Sequence, residues 1–309
     1  MSSEKNNVFA VIVTYNGMFW IEKCLQSLRN SVVPVQPIVV DNLSNDDTVS
    51  FIKENFPEVE LIENDKNSGF GQANNVGIIK AMNQGANYIL LLNQDAWIEE
   101  NMICKLLVFS DNDTLLSPVH LNGSGDMLDH NFKHNTIMNP KVNNSQMLDN
   151  LLLTQNEKCF EVSYVNAACW FLPSTLIREI GGFNPLFFHY GEDNNYLNRV
   201  HYHNKRICVV LESYVYHDRE IFGNKKVFAK QMTYRNMLAV SCDINKNSKQ
   251  RRRAYFKIFI ESIYFGFKQK KIMSFFSFFT NKAKLVAIRK QIKQSRELEK
   301  QTGNTWLDL

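Results

Sequence analysis

Paired cysteines and long apolar runs are both missing from this 309-residue sequence. The six cysteines form no CxxC or CxxH pair, which argues against a zinc site and a disulfide framework and suits a reducing compartment. No apolar stretch approaches the roughly 18 residues of a membrane span. The opening residues, MSSEKNN, are not followed by the apolar region of a secretory signal. These absences predict a cytoplasmic protein.

Charge is distributed unevenly along the chain. Residues 246–300 contain 16 Lys and Arg but three Glu, a net charge of +13, and because the whole chain carries +4 the rest carries −9. An acidic body joined to a basic C-terminal segment indicates a molecule with two electrostatic parts. The acidic body argues against nucleic acid as a partner of the main domain.

Apolar runs alternate with helix-forming segments four times over about the first 110 residues. The predicted strands are VFAVIVTYN, PIVVDNLS, VELIEN and YILLLN, and a helix is predicted after each of them. Ser44 and Asp47 have the spacing of a capping box, which predicts that the second helix starts there. The alternation predicts βαβ units and a parallel sheet.

The pattern changes after Leu116. Residues 120–160 are rich in Asn, Ser, Gly, Asp and His, which predicts loops and short antiparallel strands. Further strands are predicted at SYVNAACWFLP, ICVV and SYVYHD, with short helices between them. About the last 65 residues are predicted to be mostly helical.

Three of the first four strands end in polar side chains, namely Thr14-Tyr15-Asn16, Asp41-Asn42 and Asn93-Gln94-Asp95. Because the carboxyl ends of parallel strands share one edge of a sheet, these groups are predicted to meet at one ligand site. The alternative is that each is a cap or turn residue, and Asp95 in particular has the chemistry of a helix cap.

A glycine-rich loop, GFGQAN, follows the third strand. It has Gly69 and Gly71 in the first two positions of a G-x-G-x-x-G fingerprint, but Asn74 in the third. The dinucleotide fingerprint needs that third glycine and belongs in the first βα turn, so this loop argues against a nicotinamide dehydrogenase. The glycines would still let the backbone approach a nucleotide at a helix start.

The chain resembles a family 2 glycosyltransferase with the nucleotide-sugar-binding GT-A fold, and is most similar to bacterial rhamnosyltransferase-like enzymes that build surface polysaccharides. The matching stretches, over roughly residues 8–220, are VIVTYNG, VVDNLSNDDT, NSGFGQANNVGI, YILLLNQDAW and GGFNPLFFHYGEDNNYLNRV. The resemblance implies an α/β fold with a mostly parallel central sheet flanked by helices. It also predicts a catalytic domain over residues 1–240, a nucleotide-sugar half within it at 1–115 and an acceptor half at 116–240.

The resemblance further implies a metal site. Asp95 matches the last residue of a D-x-D motif that binds Mg²⁺ or Mn²⁺ on the diphosphate, where the cation neutralises the leaving group. The first position of the motif is Asn93 here. His217 matches a histidine that can complete the metal site, although a lone histidine also has a purely structural interpretation.

The nucleotide-binding residues are assigned by the same resemblance. Asp41 is expected to accept a hydrogen bond from the base edge, which would be uracil or thymine. The residues expected to line the rest of the nucleotide sugar are Thr14, Tyr15, Asn16, Asn67, Gly69, Asn74, Asn93 and Gln94.

A Glu192-Asp193 pair follows the aromatic segment FFHY. An apolar approach raises a carboxyl pKa towards that of a general base, although acidic residues in a first helical turn also simply offset the helix dipole. The resemblance makes Asp193 the base that acts on the acceptor hydroxyl and Glu192 a residue that orients the acceptor. Arg199 would brace the motif, while Asn195 stands where the family often has Asp. Further on, Arg235 and Asn236 are weaker candidates for a phosphate or acceptor contact.

The predicted activity is therefore inverting transfer of a hexose or deoxyhexose from a UDP- or dTDP-sugar to a glycan or lipid-linked saccharide. The setting would be synthesis of capsule, O-antigen or another surface polysaccharide. Two alternatives remain open, a non-catalytic nucleotide-sugar-binding module and a nucleotidyltransferase. The second usually has a glycine- and arginine-rich opening loop that VIVTYNGMFW lacks.

The C-terminal extension, residues 241–309, combines basic residues with aromatic ones, as in RRRAYFKIF and MSFFSFF. Such a helical segment suits the anionic inner face of the plasma membrane, where a lipid-linked acceptor would lie. The alternative is that the same helices pack on the enzyme core. RNA binding is disfavoured because no RNA-binding signature is present.

Overall fold

A computed structural model describes residues 6–138, 158–218, 225–268 and 273–309, with the side chains of residues 225–231, 265–268 and 273–277 outside the description. The first part alternates strands and helices in the order Val8–Thr14 (β1), Ile21–Arg29 (α1), Val35–Asp41 (β2), Thr48–Asn55 (α2), Glu60–Glu63 (β3), Phe70–Asn83 (α3) and Tyr88–Asn93 (β4). The predicted alternation is confirmed.

The second part is more irregular. Its elements are Ala96–Ile98 (β5), Met102–Val108 (α4), Thr114–Asn122 (β6), His130–Phe132 (α5), Cys159–Glu161 (β7), Cys169–Pro173 (β8), Ser174–Ile180 (α6), Glu192–Tyr202 (α7) and Arg206–His217 (β9). A π-helical turn, Lys133–Ile137, continues α5. Helix Lys225–Cys242 (α8), which was not predicted, comes next. The predicted helical character of about the last 65 residues is confirmed by Ser248–Lys268 (α9), Met273–Ala287 (α10) and Arg289–Glu299 (α11).

The described strands form one sheet in the order β3-β2-β1-β4-β8-β6-β9-β5, with β7 paired to β9. The strands β3, β2, β1 and β4 are parallel to one another. Thr14 lies opposite Asp41 in the register of β1 and β2, and Val13 lies opposite Asn93 in that of β1 and β4. The polar strand ends therefore meet at one edge, as the sequence predicts.

Both faces of the sheet are covered, which explains why the central strands are apolar throughout. Side chains alternate along a strand, so that Phe9 and Val11 of β1 enter one core cluster whereas Val8 and Ile12 enter the other. The first cluster includes residues of α3, α6 and α7, and the second includes residues of α1 and α4. Ile12 is fully buried, so its replacement by Ala should cost about 2–5 kcal/mol.

The C-terminal extension packs on the segment that carries the Glu-Asp pair. Glu299 at the end of α11 is buried, and its Oε1 accepts hydrogen bonds from Asn184 at 2.7 Å and Asn195 at 2.8 Å. Burial raises the pKa of the Glu299 carboxyl. The resemblance leads one to expect Asp at position 195. Asn195 instead donates a hydrogen bond to the buried Glu299, whereas an Asp carboxylate would repel the Glu299 carboxylate. The division at residue 240 falls inside α8 and stays a prediction.

Several local predictions are wrong. Ser44 does not cap a helix, since α2 begins four residues later and the Ser44 hydroxyl donates to Asp41. Asp95 is followed by strand β5 rather than by a helix, so it is not a cap. In the second part, β6 is an unpredicted strand, β9 is one strand rather than two, and SYVNAACWFLP is extended only in β8.

Two further expectations concern the less regular parts. The loops and short strands predicted over residues 120–160 lie partly outside the described residues, which omit 139–157. None of the described helices is long and apolar enough to cross a membrane.

Candidate active site

The end of β1 is joined to the end of β4 by Gln94. Its Oε1 accepts hydrogen bonds from the Thr14 hydroxyl at 2.7 Å and from the Tyr15 backbone N–H at 2.9 Å. Thr14 is fully buried, whereas the Tyr15 side chain is 45% exposed. Gln94 therefore fixes the conformation of the loop that follows β1. The ring of Tyr15, in that loop, is exposed.

Asp41 is held in a turn at the end of β2. Its carboxylate accepts hydrogen bonds from the Ser44 backbone N–H at 3.0 Å and from the Ser44 hydroxyl, and the Asn16 backbone N–H donates to Ser44 Oγ at 2.8 Å. Asp41 is 3% exposed. The structure thus brings Asn16 and Asp41 together through Ser44, which the sequence predicted only as a cap.

The glycine loop follows β3 and is held by two asparagines. Asn42 donates to Asn67 Oδ1 at 3.0 Å, and Asn67 Oδ1 also accepts from the Gly69 backbone N–H at 3.0 Å. Gly69 has φ +83°, and a Cβ there would overlap the carbonyl oxygen of Phe188. Only glycine suits this position. Its backbone lies directly against Phe188, in the segment that precedes Glu192.

Asn74 differs from the other predicted nucleotide-binding residues. Its side chain is 1% exposed, and its amide donates to the Phe70 carbonyl within α3 at 3.0 Å. The structure therefore places Asn74 inside the helix packing, and its contact with a nucleotide stays a prediction.

Asp95 and His217 come together because β5 pairs with β9, with Ala96 opposite His217. His217 Nε2 lies 3.3 Å from Asp95 Oδ1, and His217 Nδ1 lies 3.5 Å from Asp129 Oδ2. The histidine and Asp129 are each 2% exposed, whereas the Asp95 side chain is 25% exposed. Asp129 thus places a second carboxylate beside the histidine, on the ring nitrogen that does not face Asp95. Sequence reasoning missed it, because a single Asp in a loop carries no motif.

The side-chain atoms of Asp95 and His217 that face each other are suitable ligands for a divalent cation. A carboxylate oxygen and an imidazole nitrogen are both ligands that Mn²⁺ accepts. The described residues contain no group of three or more His, Cys, Asp or Glu side chains arranged to hold a metal ion. A cation at Asp95 would therefore need further oxygen ligands from a diphosphate, as is common for metals in phosphate chemistry.

Glu192 and Asp193 open helix α7 directly after Gly191, whose φ is +95°. Glu192 is 5% exposed, and its Oε2 is buried with no hydrogen-bond partner among the described residues. Burial and, next, the negative charge of Asp193 raise the pKa of Glu192 to about 7. Asp193 Oδ2 accepts a hydrogen bond from the Tyr164 hydroxyl at 2.7 Å. Tyr164 was missed because its segment was predicted as an ordinary strand.

A cavity of about 730 Å³ surrounds this acidic pair. Its walls come from the end of β4, the loop before β8, the start of α7, and helices α8 and α9; among its residues are Asn93, Tyr164, Asn166, Glu192, Asp193, Arg235, Asn236 and Lys257. The predicted candidates Arg235 and Asn236 thus share one cavity with the Glu-Asp pair. The C-terminal extension forms part of the wall, which the sequence did not indicate. A second cavity of about 800 Å³, beside Phe19 and Trp97, contains none of the predicted site residues.

Arg199 lies on α7 and binds segments that precede and follow this helix in the chain. It is 1% exposed, and its guanidinium donates to the carbonyl of Ile180 at 2.6 Å and to that of Gly182. Its charge centre lies 5.0 Å from the ring centre of Trp306. Arg199 therefore holds the loop before the Glu-Asp segment and the C-terminal residues against the same helix.

Comparison with known protein families shows to which family the chain belongs. A family model described as glycosyl transferase family 2 matches residues 9–181. The chain belongs to glycosyltransferase family 2. The family resemblance seen in the sequence is thereby confirmed, and the match includes the strand-end residues around Asp41 and Asp95 but ends before the Glu-Asp pair.

Curated relatives of this family 2 glycosyltransferase match a little over a third of its length. The dTDP-rhamnosyl transferase RfbF of Shigella flexneri is 32% identical over 120 residues, which are 38% of this chain and 40% of that protein. The SPbeta prophage-derived glycosyltransferase SunS of Bacillus subtilis is 30% identical over 122 residues, 38% of this chain and 28% of that protein. The matched part thus spans less than half the length of either relative.

Solved structures share the fold over a larger part of the chain. S. aureus TarS 1–349 in complex with UDP has a TM-score of 0.56 at 16% identity, over 81% of this chain and 68% of that one. Mannosyltransferase PcManGT from Pyrobaculum calidifontis, in complex with GDP-Man and Mn²⁺, has a TM-score of 0.58 at 14% identity, over 92% and 76%. The predicted GT-A fold is confirmed.

Proposed function

We propose that this family 2 enzyme transfers a hexose or deoxyhexose from a UDP- or dTDP-sugar to a hydroxyl group of a saccharide, with inversion at the anomeric carbon. One observation carries this proposal. The cavity that contains Glu192 and Asp193 reaches the end of β4 at Asn93, two residues before Asp95. A sugar bound there would have Asp193, the candidate base, on one side and Asp95, the proposed diphosphate-binding residue, on the other.

Asp193 acts as the general base in this proposal. The acceptor hydroxyl oxygen attacks the anomeric carbon, the bond from that carbon to the phosphate oxygen breaks, and the electron pair leaves with the nucleoside diphosphate. The hydroxyl proton passes to the Asp193 carboxylate. The Tyr164 hydroxyl, 2.7 Å from Asp193 Oδ2, fixes the carboxylate in the orientation that a positioned base requires.

Glu192 orients the acceptor rather than removing its proton. Its pKa of about 7 means that near neutral pH the carboxyl exists in both forms, so it can donate or accept a hydrogen bond. Its buried position beside the base suits a residue that holds a hydroxyl group in line for attack.

Asp95 and His217 would hold a divalent cation, Mg²⁺ or Mn²⁺, which when bound supplies positive charge to the departing diphosphate. The Mn²⁺ in the PcManGT complex supports a metal in a protein of this fold. At the other end of the site, the loop of Thr14, Tyr15 and Asn16 and the turn of Asp41 would receive the nucleotide. The name of the RfbF relative, a dTDP-rhamnosyl transferase, supports a pyrimidine nucleotide and a deoxyhexose.

The acceptor in this proposal is a glycan or a lipid-linked saccharide of a bacterial surface polysaccharide, and the enzyme works at the cytoplasmic face of the membrane. Helix α9 provides the surface for it. Phe256, Ile260 and Tyr264 recur every four residues along one side and are 65%, 47% and 59% exposed, and α9 begins with the basic run 251–253. Exposed apolar groups beside basic ones suit an anionic lipid surface.

The aromatic residues of the MSFFSFF segment differ in whether they suit membrane contact or packing on the enzyme core. Phe278 is 7% exposed and packs against Phe259, with ring centres 5.0 Å apart. Phe279 is 47% exposed. The side chains of Phe275 and Phe276 lie outside the described residues. Phe278 also belongs to a buried cluster that includes Phe187, so part of the extension packs on the rest of the enzyme. The membrane-facing role proposed here therefore rests mainly on α9.

Thermal-shift measurements with UDP, dTDP, GDP and their sugars, with and without Mn²⁺, test the proposed donor class. A UDP- or dTDP-sugar should raise the unfolding temperature, and more so with Mn²⁺. Absence of any nucleotide effect would contradict a donor site. Incubation with the donor that binds should release nucleoside diphosphate; a nucleotidyltransferase would instead consume or form pyrophosphate, and a binding module would do neither.

A further inference from the structure

Leu43, in the turn that follows β2, has a backbone conformation that leucine seldom adopts. Its φ is +70°, in the left-handed region where Cβ comes too close to the next carbonyl oxygen for most residues other than glycine and asparagine. Its side chain is 44% exposed and belongs to none of the three apolar clusters of the described residues. Burial in the core therefore does not offset the cost of this conformation.

The neighbouring loop contains a left-handed residue whose conformation has a local cause. Asn16 has a φ of +50°, which asparagine tolerates, and its Oδ1 accepts a hydrogen bond from the Asn45 backbone N–H at 2.8 Å. Leu43 has no polar side-chain atom that could make such a bond. Backbone strain that a residue's own contacts do not explain is concentrated at binding and active sites, where the surrounding structure maintains it.

Hydrogen bonds on both sides of Leu43 maintain the strain here. The Asn42 backbone N–H donates to the Thr14 carbonyl at 2.8 Å. On the other side, the Ser44 backbone N–H donates to the Asp41 carboxylate at 3.0 Å. Leu43 therefore cannot relax to an ordinary conformation unless one of its anchored neighbours gives up its bond.

The same anchors place Leu43 beside Tyr15. In the loops after β1 and β2, the residue before and the residue after each of these two are hydrogen-bonded to the other loop. Tyr15 and Leu43 thus occupy matching places in adjacent loops, and they are 45% and 44% exposed. Two exposed apolar side chains therefore lie at the edge of the sheet where the carboxylate of Asp41 is held.

The chemistry of this pair selects the part of a nucleotide sugar that would bind there. Ionised phosphate gains nothing from contact with an isobutyl group. A nucleobase has two flat faces of low polarity, which aromatic and aliphatic side chains cover well, and a polar edge for hydrogen bonds. The ring of Tyr15 and the side chain of Leu43 suit the faces of a base, and Asp41 suits its edge.

We propose that Leu43 is a binding residue for the nucleobase of the donor, and that its strained backbone is retained because it holds the side chain against a face of the base. The proposal rests on the glycosyltransferase function proposed above and adds to it a residue outside the nucleotide-binding set already assigned. It has a distinctive consequence, since substitutions that relieve the strain should raise stability and lower nucleotide affinity together.

The test uses Leu43→Gly and Leu43→Asn in the full chain. Both residues accept the left-handed conformation and both lack the isobutyl group, but asparagine does not bring the backbone freedom of glycine. Without ligand, each variant should unfold at a temperature about 2 °C higher than wild type, because the strain is relieved. In calorimetry with Mn²⁺, each should bind nucleotide about fivefold more weakly, as expected when roughly 40 Å² of apolar surface is no longer covered.

Three ligands that share a base locate the contact within the nucleotide. They are UMP, UDP and UDP-GlcNAc, or dTMP, dTDP and dTDP-rhamnose if the wild type binds thymidine nucleotides more tightly. The loss of affinity should be the same for all three, because the base is common to them.

Two further variants serve as controls. Leu43→Met keeps an apolar side chain of similar volume and should keep the affinity of the wild type. Asn204→Gly changes another exposed residue with positive φ, +56°, two positions after the end of α7, and should leave nucleotide affinity unchanged.

Other outcomes overturn the proposal in distinguishable ways. A lower unfolding temperature in both Leu43→Gly and Leu43→Asn would show that the side chain supports the fold. Unchanged affinity in both would remove the contact with the ligand, and a loss confined to the nucleotide sugar would place that contact on the glycosyl group. If the wild-type chain binds none of the six nucleotides, the proposed function fails as well.

Discussion

Glu192→Gln should make the protein more stable at neutral and higher pH while it weakens catalysis. Burial, followed by the charge of Asp193, raises the pKa of Glu192 from 4.5 to about 7. In the unfolded chain the carboxyl has its ordinary pKa. Between about pH 4.5 and 7 the folded protein therefore holds a proton that the unfolded chain has released. The stabilising contribution of the neutral carboxyl is fully present below about pH 4.5 and is lost as the pH rises through about 7.

The size of the effect follows from the pKa difference. Each pKa unit corresponds to about 1.36 kcal/mol, so the ionised Glu192 side chain costs the folded state roughly 3 kcal/mol above pH 7. Glutamine has almost the same shape and cannot ionise, so the variant avoids this cost. Its free energy of unfolding should match that of the wild type near pH 4.5 and exceed it by roughly 3 kcal/mol near pH 8.

Urea unfolding followed by circular dichroism, at half-unit steps from pH 4.5 to 8, measures this difference directly. Glu54→Gln is the matched control, because it makes the same substitution at an exposed position on α2. A difference between Glu192→Gln and wild type that does not change with pH would show that Glu192 is well solvated in the folded protein. The role assigned to it beside Asp193 would then be wrong.

Three more predictions address the rest of the proposed site. Asp193→Asn should lower turnover by about 10²–10⁴ with little change in donor affinity, because the positioned base is lost; nearly full turnover in a steady-state assay contradicts its role. Asp95→Ala should abolish the Mn²⁺-dependent part of nucleotide binding in calorimetry, and binding that still responds to Mn²⁺ places the metal elsewhere. Phe256→Ser with Ile260→Ser should reduce flotation with anionic vesicles, whereas Val108→Ser, at an apolar site on α4 that is 76% exposed, should not; no flotation of the full chain at low salt refutes the membrane role.

Much of the nucleotide half is predictable from the sequence because its structure depends on short-range patterns. Apolar runs such as YILLLN form buried strands whether or not their neighbours are known. Once the strands are parallel, their polar ends must share one edge, so Asp41 and Asn93 are brought together by topology. The same reasoning failed beyond Leu116, where β6 and β9 are defined mainly by their pairing with each other.

The side-chain partners in the candidate site were far less accessible to prediction. Nothing near Asp95 in the sequence indicates that Asp129 lies beside the same histidine, or that Tyr164 holds Asp193. Ser44 illustrates the converse, since its local spacing predicts a helix cap but its hydroxyl bonds to Asp41 instead. A polar side chain takes the best partner that the fold brings near, and local spacing does not encode that choice.

The sequence by itself determined the family, the order of strands and helices in the first half, and the strand ends at which Thr14, Asp41 and Asn93 lie. These depend on side-chain periodicity and on the geometry of parallel strands, which are local properties. Only the tertiary structure decided that α8 and α9 wall the cavity of the Glu-Asp pair and that Glu299 pairs with Asn195. Those contacts join segments far apart in the chain, and they exist only when burial of the apolar clusters has brought the segments together.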